Sequence, residues 1–219
     1  MNLPQETLQA DRTDFDTSWD RACSALGLRA GNEALRDTLL ARYAEPHRRY
    51  HTLQHLRECL SRFASVLPQA EHPGEVEFAL WFHDAIYALR GHDNEALSAQ
   101  WAVAELSAAG AGVDVMTRVQ TLVLATRHSA LPQTPDEQLL VDVDLAILGA
   151  PPARFDEYEA QVRDEYSFVP PEVFKARRAD ILAGFLARPV IYSTPGLRDV
   201  LESQARANLL RSMAALQAR

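Results

Sequence analysis

The chain has 219 residues, enough for one domain with a substantial core. Hydrophobic residues make up 47% and charged residues 24%, the balance of a soluble globular protein, and a net charge of −8 argues against broad binding to nucleic acid or anionic membranes. No uninterrupted apolar stretch approaches the ~20 residues needed to cross a bilayer, and the first residues lack the basic start and apolar core of a signal peptide.

Only nine glycines are present and no Asn-Gly or Asp-Gly hairpin turn occurs, which favours helices over sheets. Residues 1–13 are expected to form a flexible polar tail, and residues 14–219 a single all-α domain of about ten helices. The first two helices are predicted over 14–28 and 32–45. Residues 51–67 follow, with Leu53, Leu56, Leu60, Phe63 and Leu67 at steps of three and four. Pro68 and the polar stretch to Gly74 break the chain. A helix apolar nearly all round is predicted over 75–87, as a central helix should be. Helices over 94–109, 113–127 and 136–148 come next. Pro151-Pro152 and Pro170-Pro171 each introduce a long helix, and a last one starts near Leu197. Cys23 and Cys59 fall in helical segments, so the expectation is reduced thiols in a cytoplasmic protein.

Chemistry concentrates at His83-Asp84, inside the apolar run Phe78 to Tyr87. Burying an imidazole and a carboxylate there is unfavourable unless something pairs with them, and a divalent cation does so. His51 and His55, four apart on a predicted helix, can share one pocket. Asp144, flanked by Val141, Val143, Leu145 and Leu148, is expected to approach the interior, and His128 is a further candidate ligand. Asp142 competes with Asp144, but the two are turned about 200° apart on a helix and cannot share one site. The expectation is a buried metal site within a helical bundle.

These residues resemble a known family. His55, His83-Asp84 and Asp144 reproduce the His…His-Asp…Asp signature of the HD-domain metal-dependent phosphohydrolases. The likeness to a bacterial group of small predicted HD phosphohydrolases runs through Arg48-x-Tyr50-His51-x-x-x-His55, Phe82-His83-Asp84-x-x-Tyr87 and Asn94-Glu95-x-x-Ser98-Ala99. It continues through Asp142-x-Asp144-Leu145-x-x-Leu148-Gly149, Arg188-Pro189-x-Ile191-Tyr192 and Ala205-Arg206-x-Asn208-Leu209. The resemblance implies a compact multi-helix HD-domain bundle in which His55, His83, Asp84 and Asp144 hold the ion. Mixed imidazole and carboxylate ligation suits Mn²⁺, Fe²⁺, Co²⁺, Ni²⁺ or Zn²⁺, and Mg²⁺ less well. By analogy with the cyclic-nucleotide phosphodiesterases, which share the Tyr-His-x-x-x-His stretch, His51 would protonate the departing oxygen. Glu95 would orient water or a ligand.

The implied activity is metal-assisted hydrolysis of a phosphoester or phosphoanhydride in a nucleotide or related small phosphate, with Asp84, His51 and Glu95 as the catalytic set. His128 is a candidate for a second metal or a phosphate contact. Arg48, Arg127, Lys175 and Arg178 are the candidate phosphate-binding cations. Two other functions use the same scaffold: a non-catalytic metal-stabilised nucleotide sensor, and an HD-type di-iron oxygenase.

Overall fold

The computed structural model describes residues 5–28 and 32–217, with side chains from Asp14 onward. Among the described residues there are ten α-helices and no strand, as the composition predicts. They are α1 (Gln5–Ala25), α2 (Glu33–Tyr43), α3 (Leu53–Val66), α4 (Pro73–Phe82), α5 (Asn94–Ala108), α6 (Val113–Ala125), α7 (Pro135–Asp144), α8 (Pro152–Glu165), α9 (Pro171–Leu186) and α10 (Pro195–Gln217). Short 3-10 turns occupy Leu67–Gln69 and Leu145–Gly149. Of the expected tail, residues 1–4 lie outside the described residues, and the backbone is helical from Gln5, nine residues before the predicted helix start. No described helix is long and apolar enough to cross a membrane. The chain separates into two compact units, with the division between Leu140 and Val141, where the sequence predicts one domain.

In the first unit α4 is the central helix, packed by α1, α3, α5 and α6. Val76, Phe78, Ala79, Leu80, Trp81 and Phe82 are all fully buried, which is why the segment shows no polar face. Trp81 meets Trp19 edge-on at 5.1 Å and Phe15 at 5.7 Å between ring centroids. Two acidic residues on α4 are buried as well, and each has a partner. Glu77 accepts from Ser18 Oγ (2.6 Å) and pairs with Arg21, while Glu75 pairs with Arg118 through two bonds of 2.7 Å. The start of α4 is held by Asp136, whose carboxylate accepts from the Glu71 and His72 amides at 2.8 and 3.0 Å. Gly74 allows α1 to come close, since a Cβ there would lie 2.5 Å from that of Ala25.

In the second unit the motifs near the C-terminus prove to be ties within that unit. Asp142, fully buried, accepts from Ser193 N, Thr194 N and Thr194 Oγ1 at 2.8, 2.6 and 2.6 Å, and so caps the start of α10. Asn208 on α10 donates to Leu148 O and Ala150 O, and Tyr192 donates to Leu145 O. Glu202 accepts from Ile191 N and from Arg206, which itself donates to Arg188 O. At Gly149 a Cβ would lie 2.7 Å from that of Leu201, so the 3-10 turn packs directly on α10.

Cys23 and Cys59 are both buried and are not joined in a disulfide. Burial, and then the charge of Asp20, push the Cys23 thiol up to about 11. A raised value in the folded state means that folding holds the proton. The associated stabilisation is complete below the ordinary thiol range, near ~8.5, and is lost as pH rises through about 11. Denaturant midpoints measured from pH 8 to 11 should therefore fall less steeply for Cys23→Ser than for the unaltered protein. Parallel curves would contradict that ionisation.

Candidate metal centre

Three segments of the first unit build the centre. His55 is the third residue of α3, which Thr52 starts by accepting from Gln54 N at 3.3 Å. It lies on the buried face with Leu56, Cys59, Leu60 and Phe63. His83 and Asp84 follow the last residue of α4, and His51 precedes Thr52.

Two local expectations are corrected here. The helix predicted over 75–87 ends at Phe82, so His83 and Asp84 stand in a turn rather than on a helix. The reason is tertiary hydrogen bonding. Asp84 N donates to the Tyr43 hydroxyl (3.2 Å) and Ile86 N to Ser98 Oγ (3.0 Å), while Asn94 Oδ1 accepts from Ala88 N at 3.0 Å. In this turn the two side chains reach the same point, with His83 Nε2 3.0 Å from Asp84 Oδ2. His51 likewise lies outside α3. Its ring stacks on Tyr87 at 4.1 Å between centroids and meets His55 edge-on at 5.8 Å, so it neighbours His55 without sharing a helix face.

The central geometry is tight. His83 Nδ1 donates to Leu80 O at 2.7 Å, which leaves Nε2 as the ring atom that faces the centre. That nitrogen is 3.0 Å from His55 Nε2 and 3.0 Å from Asp84 Oδ2, and His55 Nε2 is 3.4 Å from the same oxygen. Ligand atoms each about 2.1 Å from one ion are separated by about 3.0 Å at right angles and about 3.4 Å at the tetrahedral angle. Two imidazoles and a carboxylate at these spacings fit a divalent transition metal. Burial acts most strongly on Asp84 and acts upward. The charges of His83 and His51, with bonds from His55 and His83, outweigh it and hold the carboxyl well below the usual range.

The surroundings fix this turn. Burial, then the charge of Asp84, push the Tyr43 phenol well above its ordinary value, so it stays protonated and donates to Trp81 O while accepting from Asp84 N. Arg48 is buried between the Tyr43 and Tyr87 rings and donates to Asp84 O (2.6 Å), Ala85 O (3.1 Å) and His51 O (3.2 Å).

Other predicted residues have different surroundings. Arg48 was expected to bind phosphate, but its guanidinium is committed to main-chain carbonyls and to Glu45. Arg178 is corrected in the same way, being buried against Glu159 within the second unit. Lys175 pairs with Glu172 at 3.0 Å. Glu95, in the first turn of α5, lies 3.8 Å from Arg127. His128 follows α6 with a left-handed backbone (φ 52°), a residue that turns the chain at a helix end. Asp144 closes α7 in the second unit and is half-buried. Asp142 is fully engaged in capping α10.

Sequence reasoning missed Cys59, whose buried Sγ lies within 4.8 Å of the His55 and His83 ligand atoms. The available signal was its position four residues after His55. It also missed His72, which with Glu71 and Asp136 forms a second acidic and imidazole group at the start of α4, where Asp136 serves as the cap. No family model, curated protein or solved structure matches the chain.

Proposed function

We propose that the chain is a metal-dependent phosphohydrolase of the HD type, cleaving a phosphoester or phosphoanhydride in a nucleotide or related small phosphate. The observation that carries the reading is the convergence of His83 Nε2, His55 Nε2 and Asp84 Oδ2, with His83 Nε2 3.0 Å from each of the other two. One proton can bridge one of the three facing pairs, whereas a cation at their centre satisfies all three. The ordered motifs from Arg48 to Leu209 support the same reading. A bound divalent ion supplies an activated water and polarises the phosphoryl oxygen.

His55, His83 and Asp84 would hold the ion, with Asp144 proposed as the fourth ligand on the strength of the sequence motif. Leu80 O keeps the His83 ring in the ligating tautomer, the usual task of a carbonyl behind a metal histidine. His51 would donate a proton to the leaving oxygen. Its neighbourhood with His55, and its contribution to holding Asp84 ionised, support that assignment. Glu95 would orient the attacking water. Arg127 and Lys175 remain the proposed phosphate contacts in a cytoplasmic enzyme.

The test is release of phosphate and pyrophosphate from a panel of nucleotides and phosphoesters, after chelation and then with Mg²⁺, Mn²⁺, Co²⁺ or Ni²⁺ restored. Activity lost on chelation and recovered with a transition metal is expected. A protein that retains no metal, with His83 protonated beside Asp84 instead, would end the proposal. His51→Ala should keep its metal and lose about 10²- to 10⁴-fold in rate, most with poor leaving groups. Loss of metal in that variant would make His51 a ligand instead.

A further inference from the structure

We infer that Tyr87 is a positioning residue for His51: its ring fixes the plane of the imidazole, and so the direction in which His51 delivers a proton. This rests on the proposed role of His51 and gives Tyr87 a task at the same site. The two rings lie face to face, 4.1 Å apart between centroids and 24° from parallel. That spacing is van der Waals contact, so an imidazole turning about its Cβ–Cγ bond would drive its edge into the Tyr87 face. Two further rings stand crosswise to the imidazole, Tyr50 at 4.8 Å and His55 at 5.8 Å, both at 77°. One parallel neighbour and two crosswise ones together set the plane of the His51 ring.

Tyr87 is itself held through the main chain. Its carbonyl accepts from His47 Nε2 at 2.8 Å. Ala88, the next residue, donates to Asn94 Oδ1 at 3.0 Å and accepts from Asn94 Nδ2 at 3.2 Å. Arg48 lies over the Tyr87 ring, 5.4 Å from its centroid, and donates to Asp84 O and Ala85 O. The turn that presents Asp84 therefore also carries, three residues on, the face that orients His51. In the step this serves, a water gives one proton to solvent and its oxygen forms the new P–O bond. The old P–O bond breaks, its electron pair passes to the leaving oxygen, and the proton of a His51 nitrogen follows it there. The need for that proton grows with the basicity of the leaving oxygen, so a misaimed imidazole costs most with poor leaving groups.

The experiment assays the full chain, loaded with Mn²⁺ after chelation, on para-nitrophenyl phosphate and phenyl phosphate, a good and a poor leaving group. Tyr87→Leu is expected to keep its metal and to lose on the order of 10- to 100-fold in kcat on phenyl phosphate, but less than about threefold on the nitrophenyl ester. Tyr87→Phe, which keeps the ring face, should return kcat on phenyl phosphate to within about threefold of the unaltered chain. Adding Tyr87→Leu to His51→Ala should lower the rate no further, because Tyr87 acts through that imidazole. If Tyr87→Leu does not fold, Tyr87→Met fills the space without a flat face and takes its place. Native kcat on phenyl phosphate in the folded variant, or an equal loss on both esters, overturns the role of Tyr87 and leaves the proposed function standing. An equal loss on both esters in His51→Ala overturns the acid, and the positioning with it. No metal-dependent turnover of either ester, or of any phosphate in the panel, overturns the proposed function and this inference together.

Discussion

Asp84→Ala is expected to lose bound metal and turnover together. Asp84 is the anionic partner of the two facing imidazoles, with Oδ2 3.0 Å from His83 Nε2 and 3.4 Å from His55 Nε2. Although burial alone pushes its carboxyl upward, the neighbouring histidines hold it ionised, so the charge that an ion needs is already in position. Removing an outer partner of a metal ligand typically costs 10- to 100-fold in affinity, and removing a ligand should cost more. The several kcal/mol that a bound ion lends to a transition state correspond to a rate loss on the order of 10³-fold.

Asp84→Asn is the informative companion. It keeps the shape and one acceptor oxygen but not the charge, and should lie between alanine and the native residue in metal retention while remaining near alanine in rate. Metal analysis after gel filtration, alongside the phosphate-release assay, reads both effects. Native metal content and native rate in Asp84→Ala would remove the basis of the proposed function.

How much of this was legible in the chain depends on the range of the interactions involved. The stripe Leu53, Leu56, Leu60, Phe63 marks α3 because helical packing leaves a periodic trace, and the proline pairs mark α8 and α9 because proline suits a first turn. The end of α4 left no such trace. Ala85-Ile86-Tyr87 reads as more helix, and only hydrogen bonds to Tyr43 and Ser98, remote in sequence, end it after Phe82. Arg48 was misread for the same reason, since a charge seen without its partners defaults to the surface. The division into two units was invisible because it falls within α7, where neither proline nor glycine is needed. Cys59 hid in an apolar stripe that a small buried thiol does not interrupt.

Arg48→Lys should cost about 2–4 kcal/mol of stability and lower the rate more than it lowers metal affinity. The guanidinium is fully buried and joins two segments, His51 on one side and the Asp84-Ala85 turn on the other, through carbonyls at 2.6, 3.1 and 3.2 Å. Its flat faces lie between the Tyr43 and Tyr87 rings, whose centroids are 5.2 and 5.4 Å from the guanidinium carbon. A lysine ammonium is a single point and cannot reach all three carbonyls, so at least one is left buried without a donor. His55, His83 and Asp84 would all remain, and metal content should therefore stay near the native level. What loosens is the position of His51 relative to that centre, and a displacement of about 1 Å can cost on the order of 10²-fold in rate. Assays well below the melting temperature separate this from partial unfolding, because a purely structural loss lowers the active fraction without changing kcat per folded molecule. Arg48→Met, which removes every donor, should be the less stable of the two variants. A lysine variant with native melting temperature and native kcat would show that the carbonyl clamp does not position the site.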